Sequence, residues 1–243
     1  MAVIGIDFGN INSFPAFIMN MDERTRRGGQ AITLLPSEQR FLAGLPTTYF
    51  YSRARGELFG ERAETASPVG NRRNLLKRKF KGHDTIDDRD VDYDPVITQM
   101  IQHIVRTANR KMWDDYRETS DEISLAYPVD FQYPQLMHFV KLAQRATLED
   151  GRHVRVTGTI REPAAAALDF LATQPPQNQD YNIIVYDLGG GTFDSSSVTV
   201  HYRDPLRDGV VEKYDVLGLD GLRFGGKEFD DAMFELLDRK SVV

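Results

Sequence analysis

Two aspartates, Asp7 and Asp187, each close a short apolar run and open a glycine turn. The first run is Val3-Ile4-Gly5-Ile6, continued by Asp7-Phe8-Gly9-Asn10-Ile11-Asn12-Ser13. The second is Ile183-Ile184-Val185-Tyr186, continued by Asp187-Leu188-Gly189-Gly190-Gly191-Thr192-Phe193. A carboxylate at the end of an apolar strand is poorly solvated unless a cation compensates it. The N–H groups of a glycine turn, with no Cβ in the way, can converge on a phosphate oxygen. Carboxylates and phosphates repel, so acidic strand ends beside phosphate-cradling turns imply a bridging hard cation. Mg²⁺ keeping several of its waters is the natural choice. Taken singly, an Asp at a strand end caps a turn, and Gly-Gly-Gly needs only positive φ in a hairpin. The repetition, about 180 residues apart, favours the metal and phosphate reading. Glu162, at the head of an alanine-rich run, is the third carboxylate of interest.

Competing signals fail on spacing. A dinucleotide fingerprint would need a third glycine where Asp194 stands, and the residues after it alternate like a strand instead of opening a helix. Gly221-Leu222-Arg223-Phe224-Gly225-Gly226-Lys227 has P-loop spacing, but Glu228 occupies the position of the Mg²⁺-holding hydroxyl and would repel phosphate. No later strand is in view to carry the second acidic motif of such a site. Counted from Asp88 as an EF-hand, the required Gly is Tyr93 and the closing Glu is Gln99. The basic run Arg72, Arg73, Lys77, Arg78, Lys79, Lys81 is cancelled by Asp84, Asp87, Asp88, Asp90, Asp92 and Asp94. Leu75, Leu76 and Phe80 interleave with it, so a solvated helix and loop is expected there. The five histidines show no metal spacing.

The elements that must position these residues read as mixed α/β. Both apolar runs are rich in β-branched residues and read as buried strands, each followed by a second strand, from Phe14 to Met19 and from Phe193 to Val200. This is an internal duplication: two lobes, each opening with a hairpin whose first strand ends in Asp. Pro15 interrupts the first of these second strands and suggests an edge or a bulge. Ile32 to Leu35 and Ile123 to Ala126 read as further strands. Val96, Ile97, Met100, Ile101, Ile104 and Val105 recur at helical spacing, giving a helix from 95 to about 117. Helices are also expected from about Pro134 to Leu148 and over Glu162 to Ala172. The Pro- and Gln-rich stretch 173–180 is the lobe boundary. Lobe I is then 1–177, with an inserted subdomain at about 36–110, and a partial lobe II is 178–243. In lobe II, Lys213 to Leu217 could add a strand, and Phe229, Met233, Leu236 and Leu237 line one apolar helix face.

The 243 residues are enough for a real core, and 41% hydrophobic with 27% charged side chains is an ordinary globular composition. A formal charge of −6 gives no electrostatic reason to expect nucleic acid or an anionic membrane. The absence of cysteine removes disulfides, thiolate zinc and Cys nucleophiles together. No apolar stretch approaches a membrane span and the start lacks a signal peptide, so the expected compartment is the cytoplasm.

Taken together, these motifs resemble the nucleotide-binding domain of the seventy-kilodalton heat-shock chaperones, in the actin and sugar-kinase ATPase superfamily. Asp7 to Ser13 is similar to that family's first phosphate turn, and Asp187-Leu188-Gly189-Gly190-Gly191-Thr192-Phe193-Asp194 to its second. Glu162-Pro163-Ala164-Ala165-Ala166-Ala167-Leu168 resembles its inter-lobe helix start. Phe224-Gly225-Gly226-Lys227-Glu228-Phe229-Asp230 resembles its second-lobe glycine motif. Weaker matches at Leu45-Pro46-Thr47-Thr48, Phe59-Gly60-Glu61, Asn74-Leu75-Leu76 and Tyr127-Pro128 keep the family's order. The resemblance implies an actin-like ATPase (ribonuclease H-like) fold: mixed sheets, β-hairpin phosphate turns and an incomplete second lobe.

The resemblance further implies that Asp7, Glu162 and Asp187 hold Mg²⁺ through its water shell. Gly9, Asn10, Ile11 and Asn12 would bind ATP or ADP phosphates in the first turn. Gly189, Gly190, Gly191 and Thr192 would do so in the second, with Gly225 and Gly226 contributing. Asp194 matches an acid that orients the attacking water, and Thr192 belongs to the same catalytic set. The hairpin tips are expected to face each other across a cleft and clamp a metal-bound polyphosphate. Glu162 and Pro163 would couple nucleotide state to a peptide-binding domain. There are departures: Ile11 cannot donate a hydrogen bond, and the family's catalytic lysine aligns with Arg73, for which Lys77 could substitute. The family's adenine pocket and peptide-binding domain lie beyond the matched part. The expectation is therefore millimolar or weaker ATP affinity, with client peptides and co-chaperones engaged only in a longer protein. The alternative is a non-catalytic actin-like filament or scaffold protein. Self-association through the apolar face of the last helix is expected in either case.

Overall fold

The computed structural model describes residues 2–18, 32–33, 44–172, 180–190, 193–202, 211–222 and 225–240. They divide into two units, Met1–Tyr127 with Phe131–Ile160, and Pro128–Asp130 with Arg161–Val243.

In the first unit, β1 (Val3–Asp7) and β2 (Asn12–Ile18) form an antiparallel hairpin, in register from Val3 opposite Ile18 to Asp7 opposite Phe14. Two short strands, β3 (Ile32–Thr33) and β4 (Leu45–Pro46), pair with β2 at Ala16–Phe17 and at Asn12–Ser13. Pro15 falls between those two pairings and causes no register shift against β1, so of the edge or bulge expected of it, the described pairings fit a local edge and not a bulge. Next, β5 (Tyr49–Ser52) and β6 (Gly56–Phe59), the one-turn helix α1 (Glu61–Glu64) and β7 (Arg72–Arg73) supply a small sheet of order β6-β5-β7.

The helix expected in the charged run is not formed. A 3-10 turn at Leu76–Arg78 leads to the hairpin of β8 (His83–Ile86) and β9 (Arg89–Asp92). Its central Asp87 and Asp88 both have positive φ, 52° and 58°, as a tight hairpin turn of right-handed twist requires. Asp tolerates that region better than most side chains. The packing face is real: Leu76 is buried, and Phe80 meets Phe131 and Phe139 edge-on.

The long helix α2 (Tyr93–Tyr116) starts two residues before Pro95, because the Asp92 side chain accepts the Asp94 N–H and leaves the proline in the first turn. Its buried stripe is the expected one, extended by Ala108 and Met112. Returning through this helix, β10 (Glu122–Tyr127) runs parallel to β1, as a helical crossover permits. α3 (Tyr133–Arg145) follows, then β11 (Arg155–Arg161), a strand absent from the expectation. The sheet order among the described residues is β11-β10-β1-β2-β3, with β4 also on β2. Ile4, Ile6, Phe17, Ile123 and Leu125 bury against Ile97, Ile101, Ile104, Phe139 and Leu142 in one core. Each such side chain contributes about 1.5–3 kcal/mol. Tyr49, Leu76, Ile86 and Val91, from the expected inserted subdomain, belong to this same core.

The second unit comprises α4 (Glu162–Ala172), β12 (Tyr181–Leu188), β13 (Phe193–Tyr202), β14 (Val211–Leu222) and α5 (Gly226–Lys240). Its sheet has the order β12-β13-β14. α4 lies where the alanine-rich run placed it, but it groups with this unit, because Ala167 and Leu171 bury against Val198 and Val200. The division therefore falls before α4; residues 173–179 of the proline-rich connector lie outside the described residues. The expected buried strand β12 is buried on one face only. Tyr181, Ile183 and Val185 pack towards α4, while Ile184, Tyr186 and Leu188 are exposed. α5 likewise exposes Met233, Phe234 and Leu236. Among the described residues no helix is long and apolar enough to cross a membrane.

Candidate functional site

The second hairpin sets two carboxylates side by side. In the β12–β13 ladder Asp187 is directly opposite Asp194, and Leu188 opposite Phe193 is the last pair before the turn. Directly opposed residues share a face, here the face that carries Val185 and its partner Ser196 two residues away. Asp194 is buried, whereas Asp187 is exposed. Gly191 and Thr192 lie outside the described residues. Asp194 continues the row onto β14, where its partner is Gly221. The Arg161 guanidinium, just before α4, donates to the Val129 carbonyl at 3.2 Å. Val129 in turn lies beside Gly221. The start of α4, which begins with Glu162, and the strand ends at Asp187 and Asp194 are thus at the same end of this unit.

The near-miss P-loop has a structural explanation. The Gly225 N–H donates to the Glu228 carboxylate at 2.7 Å, so the acidic side chain itself caps α5. The next two N–H groups, of Gly226 and Lys227, donate to the Gly189 and Gly190 carbonyls, both at 3.0 Å. Donors that a P-loop helix would aim at phosphate are engaged here in holding the 189–190 turn. Gly225 and Gly226 brace the glycine turn from behind.

The first turn, in the other unit, is tight. A Cβ on Gly9 would stand 1.9 Å from the Asn12 carbonyl oxygen. The Ile11 carbonyl accepts from the Thr47 N–H at 2.7 Å and the Asn10 carbonyl from the Leu75 N–H at 3.0 Å. Ser13 and Thr47 hydroxyls pair at 2.7 Å in the interior. Asn10 is only 8% exposed, and its side-chain oxygen Oδ1 is buried without a hydrogen-bond partner among the described residues. Ile11 points partly to solvent, and Asp7 is exposed at the strand end.

Compared with known protein families, residues 139–241 match the family model described as Hsp70 protein, a span that runs from within α3 to the end of α5. Over that segment the chain is similar to the Hsp70 family. All of the second hairpin, α4 and the β14–α5 corner lie inside the matched segment, whereas the first turn and Arg73 precede it.

Arg73, expected from the resemblance to stand where the family's lysine would, has its fork occupied. Nε donates to Asp84 at 2.5 Å, and Nη1 to the Gly70 and Arg72 carbonyls at 2.6 and 2.9 Å. The Arg73 hydrogen bond, helped by the Tyr93 hydroxyl and opposed by burial, holds the Asp84 carboxyl below the usual carboxylate range. Arg73 is pushed up by the same contact, and burial with the Asp84 contact pushes the Tyr93 phenol up. Arg73 thus ties β7 to β8, two residues from the Leu75 N–H that braces Asn10. Lys77, the suggested substitute, sits in the 3-10 turn just beyond. A cavity of about 460 Å³, lined by Arg106, Arg110, Trp113, Leu148 and Arg152 among others, includes none of the candidate residues.

The candidate residues therefore fall into two sets: Asp7 and Gly9 to Asn12 with Arg73 in the first unit, and Glu162, Asp187, Gly189, Gly190, Asp194, Gly225 and Gly226 in the second. Sequence reasoning missed the braces Thr47 and Leu75, although both lie in segments singled out by resemblance. It also missed Gly221, noticed only as the head of a false P-loop.

Proposed function

We propose that this chain is an Hsp70-family ATP-binding and ATP-hydrolysing domain with an actin-like ATPase (ribonuclease H-like) fold, using Mg²⁺ and acting in the cytoplasm. The observation that carries the reading is the ladder pair Asp187–Asp194. Two like charges directly opposed on a sheet are destabilising unless a cation offsets them, and this pair flanks a glycine turn. The buried, unpartnered Oδ1 of Asn10 fits a polar ligand at the first turn as well.

In the second unit Asp187 and Glu162, and in the first unit Asp7, would each accept hydrogen bonds from Mg²⁺-bound water. When bound, the ion supplies charge neutralisation on the polyphosphate. Gly189, Gly190, Gly191 and Thr192 in the second unit, and Gly9 to Asn12 in the first, would each orient phosphate oxygens. Asp194 would accept a hydrogen bond from the attacking water and hold it in line. Positioning of this kind supplies most of the catalysis in phosphoryl transfer. Client peptides and co-chaperones belong to the reading only for longer proteins of the family.

The test is a melting curve of the chain with and without about 10 mM Mg-ATP. A dissociation constant near 1 mM would stabilise by about 1.4 kcal/mol, a rise of about 3 to 6 °C. Asp187→Asn should remove both that rise and any phosphate release. An unchanged response in Asp187→Asn would sink the proposal. The engaged fork of Arg73 favours one competitor, a non-catalytic actin-like scaffold that binds nucleotide without turnover. Stabilisation by Mg-ATP with no phosphate released would select it.

A further inference from the structure

We propose that Gly221 is a positioning residue: the missing side chain on β14 is what allows the Asp194 carboxylate its orientation. The inference rests on the ATPase reading above for its consequence, and on packing alone for its cause. Asp187, Asp194 and Gly221 form one row across the three strands of the second unit. A Cβ at Gly221 would lie 2.4 Å from Asp194 Oδ1 and 3.6 Å from its Cγ. The first distance is far inside van der Waals contact, so the carboxylate occupies the space that a side chain at 221 would fill.

Backbone freedom does not explain this glycine. Unlike Gly56, Gly60 and Gly151, it is not in the left-handed region, so an L-residue could adopt its backbone. The requirement is steric and directed at one carboxylate. Val129 Cγ2 stands 3.5 Å from the same point, and the Arg161–Val129 hydrogen bond holds it there. Asp194 is itself buried, which restricts its room to yield. A methyl group at 221 would drive Oδ1 out of its place in the row, and with it any water that Asp194 orients. The same strand provides a control: among the described residues nothing stands within 4 Å of the Cβ direction of Gly218.

The experiment compares Gly221→Ala with Gly218→Ala in the full chain, each with Asp194 intact and in an Asp194→Ala background. Without nucleotide, Gly221→Ala should lower the melting temperature when Asp194 is present and cost nothing when it is absent. Gly218→Ala should behave alike in both backgrounds. With Mg-ATP, Gly221→Ala should lower kcat about 10-fold or more, with KM little changed, as a displaced catalytic group does. A melting penalty that persists without Asp194, or turnover in Gly221→Ala equal to that of Gly218→Ala, overturns the proposal. The melting comparison uses no nucleotide, so a wild-type chain that ignores Mg-ATP would sink the ATPase reading and leave the steric coupling separately decided.

Discussion

The two hairpins carry the same plan and differ in what faces the strand-end acid. In each, the Asp that closes the first strand is paired with the residue seven positions on: Asp7 with Phe14, Asp187 with Asp194. A carboxylate opposite a ring is an ordinary ladder pair. A carboxylate opposite a carboxylate invites a cation. The surroundings differ as well. The first hairpin is central in its sheet, its turn pinned by Thr47 and Leu75, and its glycine is required by a backbone atom. The second lies in a three-stranded sheet with one apolar face open, its turn held by the N-terminus of α5, and its required glycine is set by a side chain. The same motif is thus built into the core in one unit and arranged around a carboxylate in the other.

That contrast can be broken most directly at Gly9. Gly9→Ala places a methyl group against a carbonyl oxygen that cannot rotate away, and should cost about 3 kcal/mol, a fall of about 6 to 12 °C in melting temperature. Gly226→Ala, at the start of α5 against the other turn, is the comparison, since its Cβ would meet Gly190 Cα at an ordinary 3.6 Å. Equal losses at the two positions would erase the distinction.

Arg73→Ala should have a smaller effect, about 1–2 kcal/mol at neutral pH in denaturant titrations. The sign of its pH dependence comes from Asp84. Because the folded pKa of that carboxyl is depressed, its contribution is complete above the unfolded value of about 3.9 and is lost as pH falls through the lower folded value. The variant should therefore lose less stability on acidification than the wild type does. If its stability instead falls in parallel with the wild type below pH about 4, the pair contributes nothing to folding.

The smallest effect on folding is expected on the exposed face of α5. Met233→Glu should leave the melting temperature nearly unchanged yet reduce concentration-dependent light scattering, if Met233, Phe234 and Leu236 support self-association. A wild-type chain that remains monomeric at high concentration would dispose of that expectation.

Much of this was legible from residue types. The 3.6 period of Val96 to Val105 and the alanine-rich run after Glu162 gave α2 and α4, and β-branched runs ending in Asp gave β1 and β12. The acidic hairpin at 83–92 was not legible, because its strands carry charged side chains and its turn uses Asp-Asp in place of Asn-Gly. β11 was missed for a related reason: an edge strand with charged ends has little apolar alternation. The compact units divide before α4 and not at the connector, because a proline-rich connector marks a break in the chain, whereas a unit is defined by which faces bury each other. At the candidate site, the acids and glycines were legible, and their partners were not.

Local chemistry belongs to the sequence: which strands end in acid, where glycine turns fall, which helices have an apolar face. Those properties depend on neighbours a few residues apart, and the chain order states them directly. Whether Asp194 meets Asp187, whether Arg73 is a free cation or a strut for Asp84, and whether a given glycine is needed for its backbone or for its neighbour are settled only by pairing across strands. Contacts between residues tens of positions apart form when the apolar faces close, and no local pattern records which side chain will arrive opposite.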